Sequence, residues 1–429
     1  MDQLIYASAV SLARQIRAGA ISAQVVVEAC LQRIEAVNPR INAAVQVTAE
    51  AARAQAAAAD QALRQGVAVG PLHGVPFTVK DILDVAGVIS AAGLAERRDF
   101  RPEHDAVVVS RLKAAGAILL GKTNCPPGGG GGESENPVYG RTNNPYDLGR
   151  TAGSSTSGEA ALIAAGGSPL GLGSDSGGSL RLPASFCGIA TLRPTVGRVP
   201  NTGVLNLPGG LRDPRSQVGP MARWVDDLAL AFPLIAGVDW RDSGVVPMPL
   251  GEAGCVELRG LRLAYYTDDG IVPPTPETAA TVCAAAEALA KAGLQVEAER
   301  LPGVETSLEI SRRYWRMAEL TGAELEQLMV DWDEFRTHAL TFMESRDVIL
   351  CPAAWGPAVP HGSMRDMEYS YNLPYSLTGW PSVVVRAGTS PENLPIGVQI
   401  TARPWREDVA LRVARHLEHA LGGWQPPPL

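Results

Sequence analysis

The sequence predicts an α/β layer fold with a mostly parallel β-sheet. Short apolar runs typical of buried strands alternate with helical segments over most of the chain. Hydrophobic residues make up 46% of the 429 residues and charged residues 19%, which supplies a sizeable core. No internal repeat and no composition shift typical of a linker is present. We therefore expect one domain spanning residues 1–429.

The N-terminal third begins with helices and then changes to strands. Residues 1–66 have helical patterns, with Ser22 as the expected N-cap of a helix that continues through residue 34. An Ala-rich segment, residues 48–65, predicts a second helix capped by Thr48. Residues 75–79 and 117–120 are apolar runs that predict strands, and residues 107–115 predict a helix between them.

The central third is unusually rich in glycine and serine. Residues 121–220 hold 22 of the 45 glycines, and residues 151–180 contain only two charged side chains, Glu159 and Asp175. A flexible linker is one interpretation. However, an apolar helix at 160–165 and a strand at 170–172 interrupt the run, so we predict packed loops that bend sharply and approach another group closely.

The C-terminal third resumes the alternation. It predicts strands at 261–265, 295–298, 348–351, 382–385 and 396–400, and helices at 276–292 and 408–421, with mostly helical structure over 307–344.

Charge and cysteine usage exclude several classes of protein. The net charge is −8 and no cluster of five Lys or Arg occurs, so nucleic acid is not expected as a partner. The six cysteines are scattered without metal-ligand spacing, which indicates a reduced cytoplasmic protein with no metal site. No signal peptide and no apolar run of about 18 residues is present, so no membrane span is predicted.

The sequence does not support a phosphate-binding loop or a G-x-S-x-G nucleophile motif. Residues 116–123, GAILLGKT, match the letters of a phosphate-binding loop, but the four residues between the glycines form an apolar strand pattern. No G-x-S-x-G motif is present, and the six histidines are dispersed.

Three other positions form a candidate catalytic set. Ser179 follows Asp175-Ser-Gly-Gly178, where consecutive backbone N–H groups can form an oxyanion hole beside a nucleophile. Ser155 lies in the stretch GSSTSG, and Lys80 ends the apolar run 75–79. Taken singly, the three positions are typical of an ordinary turn, a helix N-cap and a surface lysine.

Together these positions suggest serine chemistry that uses a lysine as the base. A serine hydroxyl needs a base to act as a nucleophile. A lysine can serve when burial disfavours its charge and lowers its pKa. Because Lys80 follows an apolar strand, such burial is expected, and a second serine could relay the proton.

The sequence resembles the amidase signature family, whose members carry a Ser–Ser–Lys triad. The resemblance rests on GPLHGVPFTVKD (70–81), LGKTN (120–124), the long block 140–200 that contains GSSTSGEAALIAAGGSPLGLGSDSGGSLRLPAS, and weakly 373–400. The triad spacings of 75 and 24 residues agree with the family. The signature core is about 70–200, and its sequence resembles fatty acid amide hydrolases and simple bacterial amidases more than the tRNA-dependent amidotransferase subunit.

The resemblance implies a large mixed, twisted sheet covered by helices on both faces, and a role for each matching residue. Ser179 corresponds to the acylated nucleophile, Ser155 to the bridging serine after a cis peptide bond, and Lys80 to the base. The implied oxyanion hole is formed by Ser176, Gly177 and Gly178, and the implied supporting residues are Thr156, Asp175 and Arg181.

The sequence also departs from the family pattern. Ser154 and Ser157 stand where the family has glycine, and Thr156 replaces a serine. Residues 126–132, two prolines and five glycines, are expected to form part of the substrate rim.

The expected function is hydrolysis of a carboxylic amide to an acid and ammonia or an amine, without cofactor or metal. The expected partner is a small-molecule amide, and a homodimer, common for such enzymes, is kept open beside a monomer. Two alternatives remain: a glutamine-hydrolysing subunit of a tRNA-dependent amidotransferase, and a catalytically silent family member. Trp355, Tyr371 and Trp380 are candidates for the pocket wall.

Overall fold

The computed structural model describes residues 2–429, with side chains from residue 4 onward. The helices are α1 (Asp2–Ile5), α2 (Ala9–Arg17), α3 (Ala23–Ile41), α4 (Ala49–Arg64), α5 (Val107–Ala114), α6 (Ser157–Ala164), α7 (Arg181–Phe186), α8 (Val225–Ile235), α9 (Pro276–Lys291), α10 (Ser307–Trp315), α11 (Gly322–Met343), α12 (Leu373–Thr378) and α13 (Glu407–Leu421). The strands are β1 (Ala44–Val47), β2 (Pro76–Lys80), β3 (Ile118–Thr123), β4 (Glu135–Asn136), β5 (Gly140–Arg141), β6 (Leu170–Asp175), β7 (Ala190–Arg193), β8 (Gln217–Ala222), β9 (Arg262–Tyr265), β10 (Gln295–Ala298), β11 (Val348–Pro352), β12 (Ser382–Thr389) and β13 (Pro395–Ala402).

Eleven strands form one mixed sheet in the order β1-β3-β2-β6-β8-β7-β12-β13-β11-β9-β10, and β4 pairs with β5 separately. Parallel pairing joins β3 to β2, β2 to β6, β11 to β9 and β9 to β10, while the other six neighbouring pairs are antiparallel. The mixed sheet implied by the family resemblance is confirmed. The mostly parallel sheet inferred from the alternation alone is wrong, because six strands run opposite to β2, β3, β6, β7 and β13. These six strands are β1, β8, β9, β10, β11 and β12.

Strand β8 illustrates why local pattern missed part of this sheet. It contains Gly219 and Pro220, residues that are depleted in strands, yet it pairs with both β6 and β7. A Cβ on Gly219 would lie 2.1 Å from the carbonyl oxygen of Leu192, so this close approach requires glycine. Neighbouring strands, rather than side-chain periodicity, therefore define β8.

The two predicted helix caps have different outcomes. Ser22 caps α3 as expected, because its hydroxyl accepts a hydrogen bond from the Val25 N–H at 3.1 Å. Thr48 occupies the N-cap position of α4, but its side chain makes no cap hydrogen bond there. Its hydroxyl instead donates to the Leu119 carbonyl at 2.9 Å, because α4 begins beside β3.

Strands β2 and β6 bring the two halves of the candidate site together. They are adjacent and parallel, with Val79 paired to Leu172, so their C-terminal ends meet at one edge of the sheet. Lys80 ends β2 and Asp175 ends β6. Helix α6 is anchored to β2 and β3 through Glu159, whose carboxyl accepts hydrogen bonds from the hydroxyls of Thr78 and Thr123.

Among the described residues, no helix is long and apolar enough to cross a membrane. The six cysteines are free thiols, and four of them are buried: Cys30, Cys125, Cys187 and Cys351. Their arrangement agrees with the expectation that they form no disulfide framework.

Candidate active site

Lys80 is fully buried at the end of β2 and contacts two serine hydroxyls. Its Nζ lies 2.6 Å from Ser155 Oγ and 3.0 Å from Ser174 Oγ. The run 76–80 is buried throughout, as the apolar sequence predicted. Strand β2 therefore delivers the amine to the interior with two hydroxyls as hydrogen-bond partners.

The nearest acidic neighbour in sequence does not neutralise this amine. Asp81 is turned toward Lys122, with 3.0 Å between Asp81 Oδ1 and Lys122 Nζ, and both side chains are buried. Lys80 makes no ion pair within the part of the chain that the structure describes. Burial lowers the pKa of Lys80 to about 8, against the opposing influence of Cys125 and Asp175. About a tenth of such an amine is neutral at pH 7.

Ser155 follows a cis peptide bond, as the family resemblance implied, and its position is fixed from two sides through Ser154. The Ser154 hydroxyl donates to the Gly131 carbonyl at 2.8 Å. The Ser154 carbonyl accepts a hydrogen bond from the Tyr369 hydroxyl at 3.0 Å. The serine that replaces a family glycine thereby connects the turn at 153–158 to the glycine-rich rim.

Ser157, the second departure, makes a matching connection. Its hydroxyl donates to the hydroxyl of Ser134, two residues beyond the rim segment 126–132. Glu133 in turn accepts a hydrogen bond from the Gly362 N–H at 2.7 Å. The two added serines thus bond to a loop that is itself attached to residues 362–364 by Glu133.

Ser179 lies in the turn between β6 and α7, is half-buried and faces the same cavity as Ser155 and Ser174. Its carbonyl accepts a hydrogen bond from the Thr156 N–H at 3.2 Å, which links the two serine-containing turns. The Thr156 hydroxyl also donates to the Ser174 carbonyl at 3.2 Å. Within the described residues, no hydrogen bond joins the hydroxyls of Ser155 and Ser179, so the structure brings these serines to one wall without a direct contact.

Asp175 and Arg181 hold the backbone of this turn. Arg181 donates through Nε and Nη2 to the Asp175 carboxylate at 2.9 and 3.0 Å. Its remaining N–H donors reach acceptors on or beside α12 and on β13: the Asn372 carbonyl, the Ser376 hydroxyl and Gln399 Oε1. Burial alone would raise the pKa of Asp175, but the guanidinium groups of Arg181 and Arg193 hold it well below its usual range.

The Asp175 carboxylate accepts a hydrogen bond from one of the N–H groups predicted for the oxyanion hole. The Gly178 N–H donates to Asp175 Oδ1 at 2.8 Å, and the Leu180 N–H donates to Oδ2 at 3.1 Å. The assignment of Gly178 to the oxyanion hole is therefore wrong, because its single N–H is already used. In the described structure the N–H groups of Ser176, Gly177 and Ser179 have no acceptor, so they are the donors still available to a ligand oxygen.

A cavity of about 1200 Å³ opens onto these groups. Its wall includes Ser155, Ser174, Ser176, Gly177 and Ser179, together with the glycine-rich segment 127–132, as expected for the rim. Three aromatic residues predicted to line the pocket do not belong to this wall. Trp380 and Tyr371 are buried in a hydrophobic cluster behind α12, and Trp355 packs against that cluster, because long-range contacts turn these rings inward.

Two contacts at the site were missed by sequence reasoning. Ser174, whose hydroxyl is the second partner of Lys80, is the penultimate residue of β6, five residues before Ser179. Its position near the strand end was the signal that could have found it. Tyr369 contacts Ser154 across 215 positions of sequence, and no local pattern indicates such a pairing.

In the region that the structure describes, no group of three or more His, Cys, Asp or Glu side chains is arranged to hold a metal ion. The groups that the site itself presents are serine hydroxyls, a buried amine and backbone N–H donors.

Comparison with known proteins gives the family. The Amidase family model matches residues 25–323 and 309–411. The chain is 34% identical to a glutamyl-tRNA(Gln) amidotransferase subunit of Chloroflexus aggregans, with 96% of each chain covered. It is 32% identical to an acylamidase of Rhodococcus erythropolis, covering 99% of this chain and 97% of the relative.

The solved structure of a fatty acid amide hydrolase has the same fold. It superposes with a TM-score of 0.89 over 98% of this chain and 86% of that chain, at 24% identity. From the family match over most of its length and the curated relatives above 30% identity, we conclude that this chain belongs to the amidase family.

Proposed function

We propose that the protein is an amidase that hydrolyses a carboxylic amide through an acyl-enzyme on Ser179, with Lys80 as the base acting through Ser155. The observation that carries the proposal is the buried amine of Lys80, 2.6 Å from Ser155 Oγ and without a carboxylate partner among the described residues. Such an amine is a base near neutral pH, which a surface lysine is not.

The proton path follows from the contacts. A neutral amine has two N–H donors and one lone pair. With one N–H donated to Ser174 Oγ at 3.0 Å, the lone pair can accept the Ser155 proton at 2.6 Å. Ser155 then takes the proton of Ser179 as that oxygen attacks the amide carbon.

The remaining steps use the same groups. The N–H groups of Ser176, Gly177 and Ser179 stabilise the oxyanion of the tetrahedral intermediate. Collapse breaks the C–N bond, and the proton held at Lys80 returns through Ser155 to the departing nitrogen. Water then attacks the acyl-enzyme, gives its proton to the same relay and releases the carboxylic acid.

A silent family member is disfavoured by this arrangement. All three triad residues are present, and the serines that replace family glycines form hydrogen bonds with Gly131 of the rim and with Ser134 just beyond it. We also infer that residues 1–429 form one amidase domain, because strands from residues 44 to 402 belong to one sheet.

Similarity to an amidotransferase subunit supports a second candidate function, hydrolysis of glutamine within an amidotransferase. The 34% identity to the Chloroflexus aggregans glutamyl-tRNA(Gln) amidotransferase subunit supports a glutaminase that passes ammonia to a partner protein. The comparable 32% identity to an acylamidase supports independent amide hydrolysis. The two functions differ in whether turnover requires glutamine and a partner.

The test combines covalent labelling with a substrate screen. The purified protein is treated with a fluorophosphonate probe, and the adduct is mapped by mass spectrometry, with Ser179→Ala and the exposed, distant control Ser110→Ala in parallel. Turnover is then measured on short aliphatic, aryl, long-chain and peptide C-terminal amides and on glutamine.

We expect an adduct on Ser179 and amide turnover in the wild type and in Ser110→Ala, with both lost in Ser179→Ala. If glutamine is the only amide turned over, and only when a co-purifying tRNA-binding protein is present, the result would support the amidotransferase function. A missing adduct would favour the silent family member.

A further inference from the structure

The cavity beside Ser179 carries more positive than negative side chains, although the protein as a whole is acidic. Its wall contains four arginines and two aspartates: Arg212, Arg215, Arg312, Arg365, Asp213 and Asp366. Arg312 and Asp366 form an exposed ion pair with 3.4 Å between Nε and Oδ2. Because the chain has a net charge of −8, this excess of positive charge is local to the cavity, where it favours an anionic ligand.

Arg215 is the buried arginine of this set, and two of its side-chain nitrogens have no acceptor in the described structure. These nitrogens are Nε and Nη2, and the side chain is completely buried. Nη1 makes one long contact of 3.4 Å with Ser311 Oγ. Burial lowers the pKa of Arg215 to about 10, so the group remains charged at neutral pH. A buried charge without acceptors is costly unless a ligand supplies them.

Other buried arginines of the protein have more hydrogen-bond acceptors than Arg215. All five N–H donors of Arg181 have acceptors. Arg223 also has an unpartnered Nε, but its two Nη atoms donate to four backbone carbonyls, and it does not belong to the cavity wall. Arg215 differs by its missing acceptors and by its place in the wall.

The free edge of Arg215 has the shape that binds a carboxylate. Nε–H and one Nη2–H are parallel and match the two oxygens of a carboxylate. Arg181 uses this same edge to bind Asp175 at 2.9 and 3.0 Å. The rings of Tyr314 and Trp315 lie 4.1 and 5.1 Å from the Arg215 guanidinium carbon and line the same cavity, which helps to fix the guanidinium plane.

Arg215 also lies near the turn that carries the proposed nucleophile. A Cβ placed on Gly177 would be 3.1 Å from Trp315 Cζ2, so this indole stands directly over the turn. On the other side, the hydroxyl of Ser216 is hydrogen-bonded to that of Ser176. A single small molecule can therefore reach Arg215 while its amide carbonyl is at Ser179.

We propose that Arg215 binds an ionised carboxylate of the substrate, so that the preferred substrates are amides that carry a second, negatively charged carboxyl group. Monoamides of short dicarboxylic acids are the simplest members of this class. The inference rests on the proposed amidase function and adds its substrate class. Trp315 is 45% exposed, and we infer that its movement admits the carboxylate to the guanidinium edge.

The test compares substrates that differ in charge at one end. Release of ammonia is measured from the monoamides of succinic, glutaric and adipic acid and from unbranched alkanamides of the same chain length. The variants are Arg215→Met, Arg215→Lys and the control Arg98→Met, an exposed arginine outside the cavity wall.

We expect the wild type to prefer the monoamides. A lost pair of charged hydrogen bonds should lower kcat/KM for monoamides about 10- to 100-fold in Arg215→Met, with less than about a threefold change for alkanamides. Arg215→Lys should recover part of the preference and Arg98→Met all of it. Equal losses on both substrate series, or no preference in the wild type, would overturn the proposal and assign Arg215 a structural role with water as its partner.

A second measurement remains informative if Arg215→Met does not fold. Dicarboxylates and monocarboxylates of the same length are compared as protectants of wild-type Ser179 against the fluorophosphonate probe. Stronger protection by dicarboxylates supports the proposal, and equal protection contradicts it. In either case an adduct on Ser179 together with alkanamide turnover leaves the proposed amidase function intact, so the two hypotheses fail separately.

Discussion

Lowering the pH from 9 to 6 should suppress acylation of Ser179, because the proposed base, Lys80, must be uncharged to accept a proton. The pKa of Lys80 is about 8 as a result of burial. The neutral fraction of such an amine is about 90% at pH 9, about 10% at pH 7 and about 1% at pH 6. The rate of Ser179 acylation should therefore rise with pH and level off above about pH 9.

The assay measures the rate of fluorophosphonate labelling and kcat/KM for a neutral alkanamide, so that the substrate has no ionisation of its own. Between pH 9 and pH 6 both rates should fall by about 90-fold if one amine of pKa near 8 controls them. Lys80→Met should lose this dependence along with most of the activity. Lys291→Met, which removes an exposed lysine from α9, should retain the wild-type profile.

Two results would refute the reasoning. A rate that keeps rising tenfold per pH unit beyond pH 10 would mean that Lys80 has the pKa of an ordinary solvated lysine. An inflection near pH 6.5 that persists in Lys80→Met would identify a histidine as the base and remove Lys80 from the mechanism.

Three further outcomes are expected. Ser155→Ala should reduce fluorophosphonate labelling of Ser179 by at least about 100-fold, because it breaks the proton relay. Ser174→Ala removes one hydrogen-bond acceptor from the Lys80 amine, so it should reduce labelling less and shift the pH profile. Equal effects of the two substitutions would contradict the assigned order of the relay. Ser154→Gly removes the 2.8 Å bond to the rim, and should raise KM several-fold while the kcat for alkanamides changes little, as measured by steady-state kinetics. Asp175→Asn leaves two buried guanidinium groups without their carboxylate, and should lower the free energy of unfolding by about 3–5 kcal/mol in urea denaturation; a loss below about 1 kcal/mol would show that the ion pair is not structural.

The two serines that replace family glycines show how sequence and structure contribute differently. The sequence identified Ser154 and Ser157 as departures from the family pattern and indicated nothing about their partners. The structure shows that the Ser154 hydroxyl bonds to Gly131 in the cavity rim, and that the Ser157 hydroxyl bonds to Ser134, two residues beyond the rim segment. A side-chain substitution is visible in sequence, whereas its compensating contact, 23 residues away, depends on how the two loops meet.

Elements with a local and strong pattern were predictable from the order of the amino acids. The apolar run before position 80 predicted a buried strand end, and β10 (Gln295–Ala298) matches its predicted bounds. The family motif identified Lys80, Ser155 and Ser179 as candidates, because these residues occur at fixed spacings in a distinctive glycine- and serine-rich sequence.

The groups that these residues face became known only from the folded arrangement of the chain. Asp81 pairs with Lys122 rather than with Lys80, the Gly178 N–H is used on Asp175, and the Nε and Nη2 atoms of Arg215 have no acceptor in the described protein. Strand β8 likewise forms from a segment with glycine and proline in its middle. Local periodicity reports which side of an element is buried, but hydrogen-bond partners and buried charges depend on chain segments brought together from distant positions.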